Sequence, residues 1–130
     1  LDWLPVAAGG SYAVLVACIL FINQFPDHDS DAATGKRTLV VRQGPEQAKW
    51  TYFGLAMLGY IWLVLQIGRD SLPQQSALAA FTLVLTFSAA RELRQHASSP
   101  ALLGRAIKLT IVAALLHGVL LTLALVWAAR

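Results

Sequence analysis

Four stretches without a charged residue constrain this chain more than any other feature. They cover residues 3–26, 50–68, 71–90 and 109–129, and each is about as long as the 20 residues that a helix needs to cross a bilayer. None of them alternates apolar and polar residues as the strands of a membrane β-barrel do. The sequence therefore predicts an all-α fold, a polytopic membrane helix bundle with four transmembrane helices.

The composition argues against the soluble alternative, a bundle of buried helices. Of the 130 residues, 13% are charged, whereas soluble domains carry roughly 25%. A soluble bundle would need a polar face on each helix, and the second and fourth stretches have almost none. Four membrane helices use nearly the whole chain, so we expect residues 1–130 to form one domain. The single cysteine, Cys18, excludes an internal disulfide.

The basic residues predict how the helices are oriented. Residues 27–49 and 91–108 would connect helices on one side of the membrane, and together they hold eight of the ten basic residues. Because cytoplasmic loops are enriched in Lys and Arg, both loops are expected in the cytoplasm and both termini outside. The basic residues lie between apolar runs and form no patch interleaved with aromatic residues, so we expect no nucleic-acid partner.

The segment NQFPDHDSDAATGKRT, residues 23–38, combines acidic and basic residues directly after the first apolar stretch. Asn23, Asp27 and Asp31 are spaced by four residues, which places them within about 80° of one another on a helix. Pro26 removes a backbone donor, so we expect a kink near the membrane surface that exposes the acids.

This segment has the residue types of a magnesium–diphosphate site. Two carboxylates one turn apart suit Mg²⁺, which takes a few protein oxygens and shares its remaining positions with water and phosphate. Lys36, Arg37 and Arg42 supply cations for phosphate oxygens, and Gly35 would let the backbone turn so that they face the acids. The alternative is a loop of mixed charge that is simply solvated.

The longer pattern around these acids resembles the second aspartate-rich motif of the UbiA superfamily of intramembrane prenyltransferases. The run GKRTLVVRQG is most similar to the branch that contains 1,4-dihydroxy-2-naphthoate polyprenyltransferase, an enzyme of menaquinone biosynthesis. The matching residues are Asn23, Asp27, Asp31, Gly35, Lys36, Arg37, Thr38, Leu39, Val41, Arg42 and Gly44.

The resemblance implies Mg²⁺-dependent transfer of a polyprenyl group from its diphosphate to an aromatic acceptor. Asp27 and Asp31 would act in catalysis as metal ligands, and Asn23 would add a neutral oxygen ligand or orient the first carboxylate. Lys36, Arg37 and Arg42 would bind the diphosphate and stabilise the leaving charge. The implied location is the bacterial inner or plasma membrane, where the prenyl tail reaches the site from lipid.

The family has nine helices around a cavity and two aspartate-rich motifs, of which this sequence carries the second. The chain begins at Leu1 without a basic signal region. We therefore expect it to be the C-terminal part of a single membrane prenyltransferase domain, with the last four of nine helices. On this view its partners include the missing N-terminal helices of the same protein, and residues 1–130 alone would be inactive.

Three other functions remain open at this stage. Another aromatic prenyltransferase of the same superfamily would use the same residues. A CDP-alcohol phosphotransferase also uses a DxxxD pair with Mg²⁺, but it needs an upstream Asp-Gly-x-x-Ala-Arg that is absent here. A transporter or a non-catalytic membrane scaffold would place its acids deep within the spans, whereas these acids follow the end of one.

Overall fold

The computed structural model describes residues 2–130, and within them the regular structure is entirely helical. The α-helices, in chain order, are α1 (Leu4–Ile22), α2 (Gln24–Ala33), α3 (Leu39–Gln43), α4 (Pro45–Gly68), α5 (Leu83–His96) and α6 (Gly104–Ala128). Two 3₁₀ helices precede α5 and α6, at Gln74–Thr82 and Pro100–Leu102.

Four helical segments are long and apolar enough to cross a membrane, as the sequence predicts. These spans are Leu4–Ile22, Pro45–Gly68, Gln74–His96 and Gly104–Ala128. Their outward faces carry large exposed apolar side chains, such as Leu58 and Val64 on α4 and Leu115 and Leu123 on α6. A bundle in water would place polar residues there, whereas a bilayer solvates these side chains. The prediction of an all-α membrane bundle is confirmed.

The spans pack in a ring in which α1 and α5 each contact both α4 and α6. Small residues allow the closest approaches. A Cβ atom on Gly10 would lie 2.4 Å from Nε1 of Trp62, which donates a hydrogen bond to the backbone oxygen of Ala7 at 3.0 Å. Likewise, a Cβ atom on Gly118 would lie 2.8 Å from Cε2 of Tyr12. Such small residues at helix contacts are typical of membrane bundles, where van der Waals packing holds helices together.

A buried hydrogen-bond network connects all four spans in the middle of the bundle. His117 of α6 is fully buried, and its Nε2 lies 3.0 Å from Oγ of Ser11 on α1. Its Nδ1 lies 3.2 Å from the backbone oxygen of Ala79 and 3.2 Å from Oγ1 of Thr82. Because the oxygen of Ala79 can only accept, Nδ1 is the protonated nitrogen and Ser11 donates to Nε2.

Tyr60 of α4 extends this network to the remaining span. Its hydroxyl lies 2.9 Å from Oγ1 of Thr82 and 2.7 Å from Oγ1 of Thr86. Each of these polar groups has a partner inside the protein, which removes the cost of burying it away from water. His117 is therefore a hydrogen-bonded packing residue.

The structure corrects the third predicted stretch, 71–90, in two ways. Its helix runs to His96, and its first part, Gln74–Thr82, is a 3₁₀ helix and not an α-helix. Where the 3₁₀ helix changes to α5, the backbone oxygen of Ala79 accepts hydrogen bonds from the side chains of Thr82 and His117. In an α-helix the backbone oxygen of Ala79 would accept from the amide of Leu83. Here the amide of Leu83 points instead to the backbone oxygens of Ala80 and Phe81.

Candidate functional site

The acidic residues lie on a separate short helix, α2, which follows α1 after a break at Asn23. The apolar stretch 3–26 is therefore not one helix, and its last residues open α2. The break lies one turn before Pro26, as expected for a residue that cannot donate to the oxygen of Ile22 and whose ring crowds it. Phe25 is fully buried and anchors α2 to the bundle.

Asn23, Asp27 and Asp31 keep the spacing that puts them on one side of the helix. Asn23 keeps helical dihedral angles, so the register passes through the break. Its Nδ2 donates to the backbone oxygen of Ile19 at 2.9 Å, which leaves the side-chain oxygen turned the other way. Asp27 is exposed, whereas the side chain of Asp31 is 13% exposed.

Gly35 ends α2 and turns the chain back over its acids. Its φ of +80° lies in the left-handed region that favours glycine. The amide of Lys36 donates to the oxygen of Asp31 at 2.8 Å, and the amide of Gly35 donates to the oxygen of Ala32 at 3.2 Å, which is the Schellman pattern. This turn brings Nζ of Lys36 to 3.3 Å from Oδ1 of Asp31. The predicted role of Gly35 is confirmed for Lys36.

Replacing Gly35 with Ala is expected to lower the stability of the protein by about 1–2 kcal/mol, the cost of a left-handed residue with a Cβ atom. No atom lies within 4 Å of the position that this Cβ would occupy, so backbone strain is the whole effect. Thermal unfolding in detergent would measure it. Gly35→Asn should lose less, because Asn tolerates this conformation, and Gly54→Ala in α4 should not destabilise. Equal losses for Gly35→Ala and Gly35→Asn would contradict this account.

The other two predicted cations form no ion pair with Asp27 or Asp31. Arg37 and Arg42 are exposed, and neither forms an ion pair with any residue from 2 to 130. Arg42 lies in the last turn of α3. The structure thus brings Lys36 to Asp31 and leaves both arginines on the surface of the same loop.

Gln24 holds this loop in place, a role that sequence reasoning missed. Its Oε1 accepts from the backbone amides of Leu39 at 3.1 Å and Val40 at 3.4 Å, so it caps the first turn of α3 from 15 residues away. Thr38 accepts from the amide of Val41 at 3.3 Å. The Thr38 cap has a sequence signal, since Thr often precedes a helix. A glutamine reaching across a loop has no such signal.

His28 is turned away from the acids, as expected from its position one residue off their face. Its Nδ1 donates to the backbone oxygen of Phe25 at 2.7 Å. Its Nε2 lies 3.2 Å from Oδ1 of Asp29. Asp29 therefore pairs with His28 on another side of α2 and is not aligned with Asp27 and Asp31.

The donor set suits a hard cation only in part. Asp27, Asp31 and the side-chain oxygen of Asn23 are all oxygen donors, as Mg²⁺ prefers. Among residues 2–130, however, no group of three or more acidic, histidine or cysteine side chains comes together as a metal site. One acidic pair fits an ion that takes its other ligands from water, from phosphate or from further protein groups.

The fold and this end of the bundle define an integral membrane protein with paired acids and a neighbouring lysine at the end of its first span. The model of the UbiA prenyltransferase family matches residues 1–103 of the sequence, which include the whole acidic and basic segment. The chain belongs to the UbiA prenyltransferase family, whose members transfer prenyl groups to aromatic acceptors. No curated protein and no solved structure gives a significant match.

Proposed function

We propose that this chain is the C-terminal part of an enzyme that transfers a polyprenyl group from its diphosphate to an aromatic acceptor in quinone biosynthesis. The observation that carries the proposal is the turn at Gly35, which joins Lys36 to Asp31 inside the region of the family match. An anionic substrate with its cation needs this combination of carboxylates and an adjacent ammonium group.

The residues of the loop would share the work as follows. Asp27, Asp31 and Asn23 would hold Mg²⁺, which supplies positive charge to the diphosphate leaving group. Lys36 pairs with Asp31 through one carboxylate oxygen, and it would exchange this partner for a phosphate oxygen when the diphosphate binds. Arg37 and Arg42 are exposed and without an ion pair among residues 2–130, so they are free to neutralise the other phosphate oxygens.

The acceptor we favour is 1,4-dihydroxy-2-naphthoate, because the run GKRTLVVRQG is most similar to that branch of the family. The test gives the full-length enzyme a polyprenyl diphosphate, Mg²⁺ and a panel of aromatic acceptors. Faster turnover with the naphthoate than with 4-hydroxybenzoate would support this choice, and the opposite order would move the enzyme to another branch. Family membership favours a prenyltransferase over a CDP-alcohol phosphotransferase, a transporter or a scaffold.

We further propose that the acidic loop, residues 27–49, lies in the cytoplasm. The structure brings the two basic loops to the same end of the bundle, where Ser98 donates to Oε1 of Glu46 at 2.8 Å. Eight of the ten basic residues belong to these loops, which the positive-inside rule assigns to the cytoplasm.

Cysteine labelling in intact cells is expected to reveal this orientation. In a Cys18→Ala background, a cysteine at Thr34 should resist an impermeant reagent until the membrane is opened. A cysteine at Gln74, exposed at the start of the third span, should react at once and serves as the matched control. Labelling of position 34 in intact cells would show that the topology is the reverse of the proposed one.

A further inference from the structure

A groove of about 810 Å³ lies between α4 and the third span. Its apolar lining includes Phe53, Phe81 and Phe87, and the rings of Phe53 and Phe87 meet edge to face with centroids 5.8 Å apart. Phe81 is 72% exposed and Phe87 is 48% exposed. The groove therefore offers a large apolar surface that no other residue from 2 to 130 covers.

One end of this groove is basic. Lys49, Arg91 and Arg94 line it there, next to Trp50. The guanidinium carbon of Arg94 lies 5.9 Å from the centre of the Trp50 ring, within the range of a cation–π interaction. Tryptophan is common at the headgroup level of membranes. The groove is therefore apolar along most of its length and basic at one end, which we call its mouth. Trp50 lies at this mouth.

Hydrogen bonds connect α4 with the end of α5 at this mouth. Lys49 pairs with Glu46 in the first turn of α4, and it also donates to the backbone oxygen of Arg94 at 3.4 Å. Glu46 accepts from Ser98 just beyond the end of α5. Because Glu46 neutralises Lys49, the uncompensated charges are those of Arg91 and Arg94, and neither forms an ion pair within residues 2–130.

The groove is chemically different from the candidate diphosphate site. None of Asn23, Asp27, Asp31, Lys36, Arg37 and Arg42 lines it. Its lining also contains no Asp or Glu, so it offers no carboxylate to a divalent cation. A ligand at this mouth would meet two arginines without a metal, which suits a phosphate of low charge better than a magnesium diphosphate.

We propose that this groove binds an anionic phospholipid, with its phosphate against Arg91 and Arg94 and an acyl chain along Phe53, Phe81 and Phe87. Basic pockets between transmembrane helices are known to hold anionic headgroups. The acyl chain would cover the exposed aromatic side chains, and the headgroup would lie at the same end of the bundle as the acidic loop. The bound lipid would be a structural ligand near the candidate diphosphate site and not a substrate.

The test compares phosphatidylglycerol with phosphatidylcholine of the same acyl chains. The binding of each lipid to the purified full-length protein in detergent is quantified by native mass spectrometry. We expect tighter binding of phosphatidylglycerol, and a loss of roughly tenfold or more in that affinity when Arg91 and Arg94 are both changed to Gln. Changing both to Lys should keep most of the preference. Lys108→Gln is the matched control, because this exposed lysine lies outside the groove.

Thermal unfolding of each variant separates lost binding from lost folding. Equal binding of the two lipids, or an unchanged preference in the double Gln variant with its fold intact, would refute the proposal. Displacement of phosphatidylglycerol by a polyprenyl diphosphate without Mg²⁺ would assign the groove to the prenyl substrate and would refute it as well. None of these results depends on prenyl transfer, so they are independent of the proposed function.

Discussion

Changing Asp31 to Asn in the full-length enzyme is expected to reduce turnover by several orders of magnitude while leaving the fold nearly intact. The carboxylate of Asp31 is the acid that the turn at Gly35 places against Lys36. An amide of the same shape keeps the backbone bonds of this turn, which use the main-chain oxygen of Asp31. It removes the charge that would hold the metal, and with it the metal's stabilisation of the transition state.

The measurement is the rate of prenyl transfer at saturating Mg²⁺, with thermal unfolding recorded for every variant. Asp27→Asn should show a similar loss. Asp29→Asn is the matched control, because this residue lies on the same helix, its side chain is 88% exposed and it contacts His28. Near-normal turnover in both Asp27→Asn and Asp31→Asn would remove these residues from the site. A loss in Asp29→Asn as large as theirs would show a general effect of charge.

Residues 1–130 alone are expected to show no prenyl transfer, even with polyprenyl diphosphate and Mg²⁺ in excess. A magnesium diphosphate needs ligands on more than one side, and the described residues bring together no group of three or more acidic, histidine or cysteine side chains. The acidic pair would hold the metal weakly and leave the substrate poorly positioned, and a displacement of about 1 Å can reduce a rate by roughly a hundredfold.

The experiment compares the purified chain with the reconstituted full-length protein under the same conditions. Co-expression of the chain with the proposed upstream helices should restore transfer, because those helices would supply the facing side of the cavity. Turnover by the chain alone would contradict the hypothesis that catalysis needs both aspartate-rich motifs. Failure of the full-length protein with every aromatic acceptor would instead contradict the proposed function.

The number of spans could be predicted from the sequence because hydropathy over 20 residues depends little on packing. The prediction failed where tertiary contacts decide the geometry. The 3₁₀ helix at Gln74–Thr82 coincides with the contact between Ala79 and His117, which are 38 residues apart in the chain. Local patterns of apolar residues cannot reveal a hydrogen bond between distant spans.

The candidate site was predictable in its register and only partly in its geometry. The spacing of Asn23, Asp27 and Asp31 is a local helical property, and the structure keeps it. The left-handed turn at Gly35 is also local. The anchor that Gln24 provides for α3 depends on how the loop folds back. The same holds for Arg37 and Arg42, neither of which pairs with Asp27 or Asp31. These features follow from three-dimensional packing.

The buried network around His117 has a consequence for how the protein is made. Ser11 belongs to the first span and His117 to the last, 106 residues later, so their bond can form only after the ribosome has delivered the final span to the membrane. Until then the hydroxyls of Ser11 and Thr82 lack their contacts with His117, and an unpaired polar group is unfavourable in hydrocarbon. The hydroxyls of Tyr60 and Thr82 can already bond to each other, so the last span of this chain supplies the partner of Ser11 and completes the network.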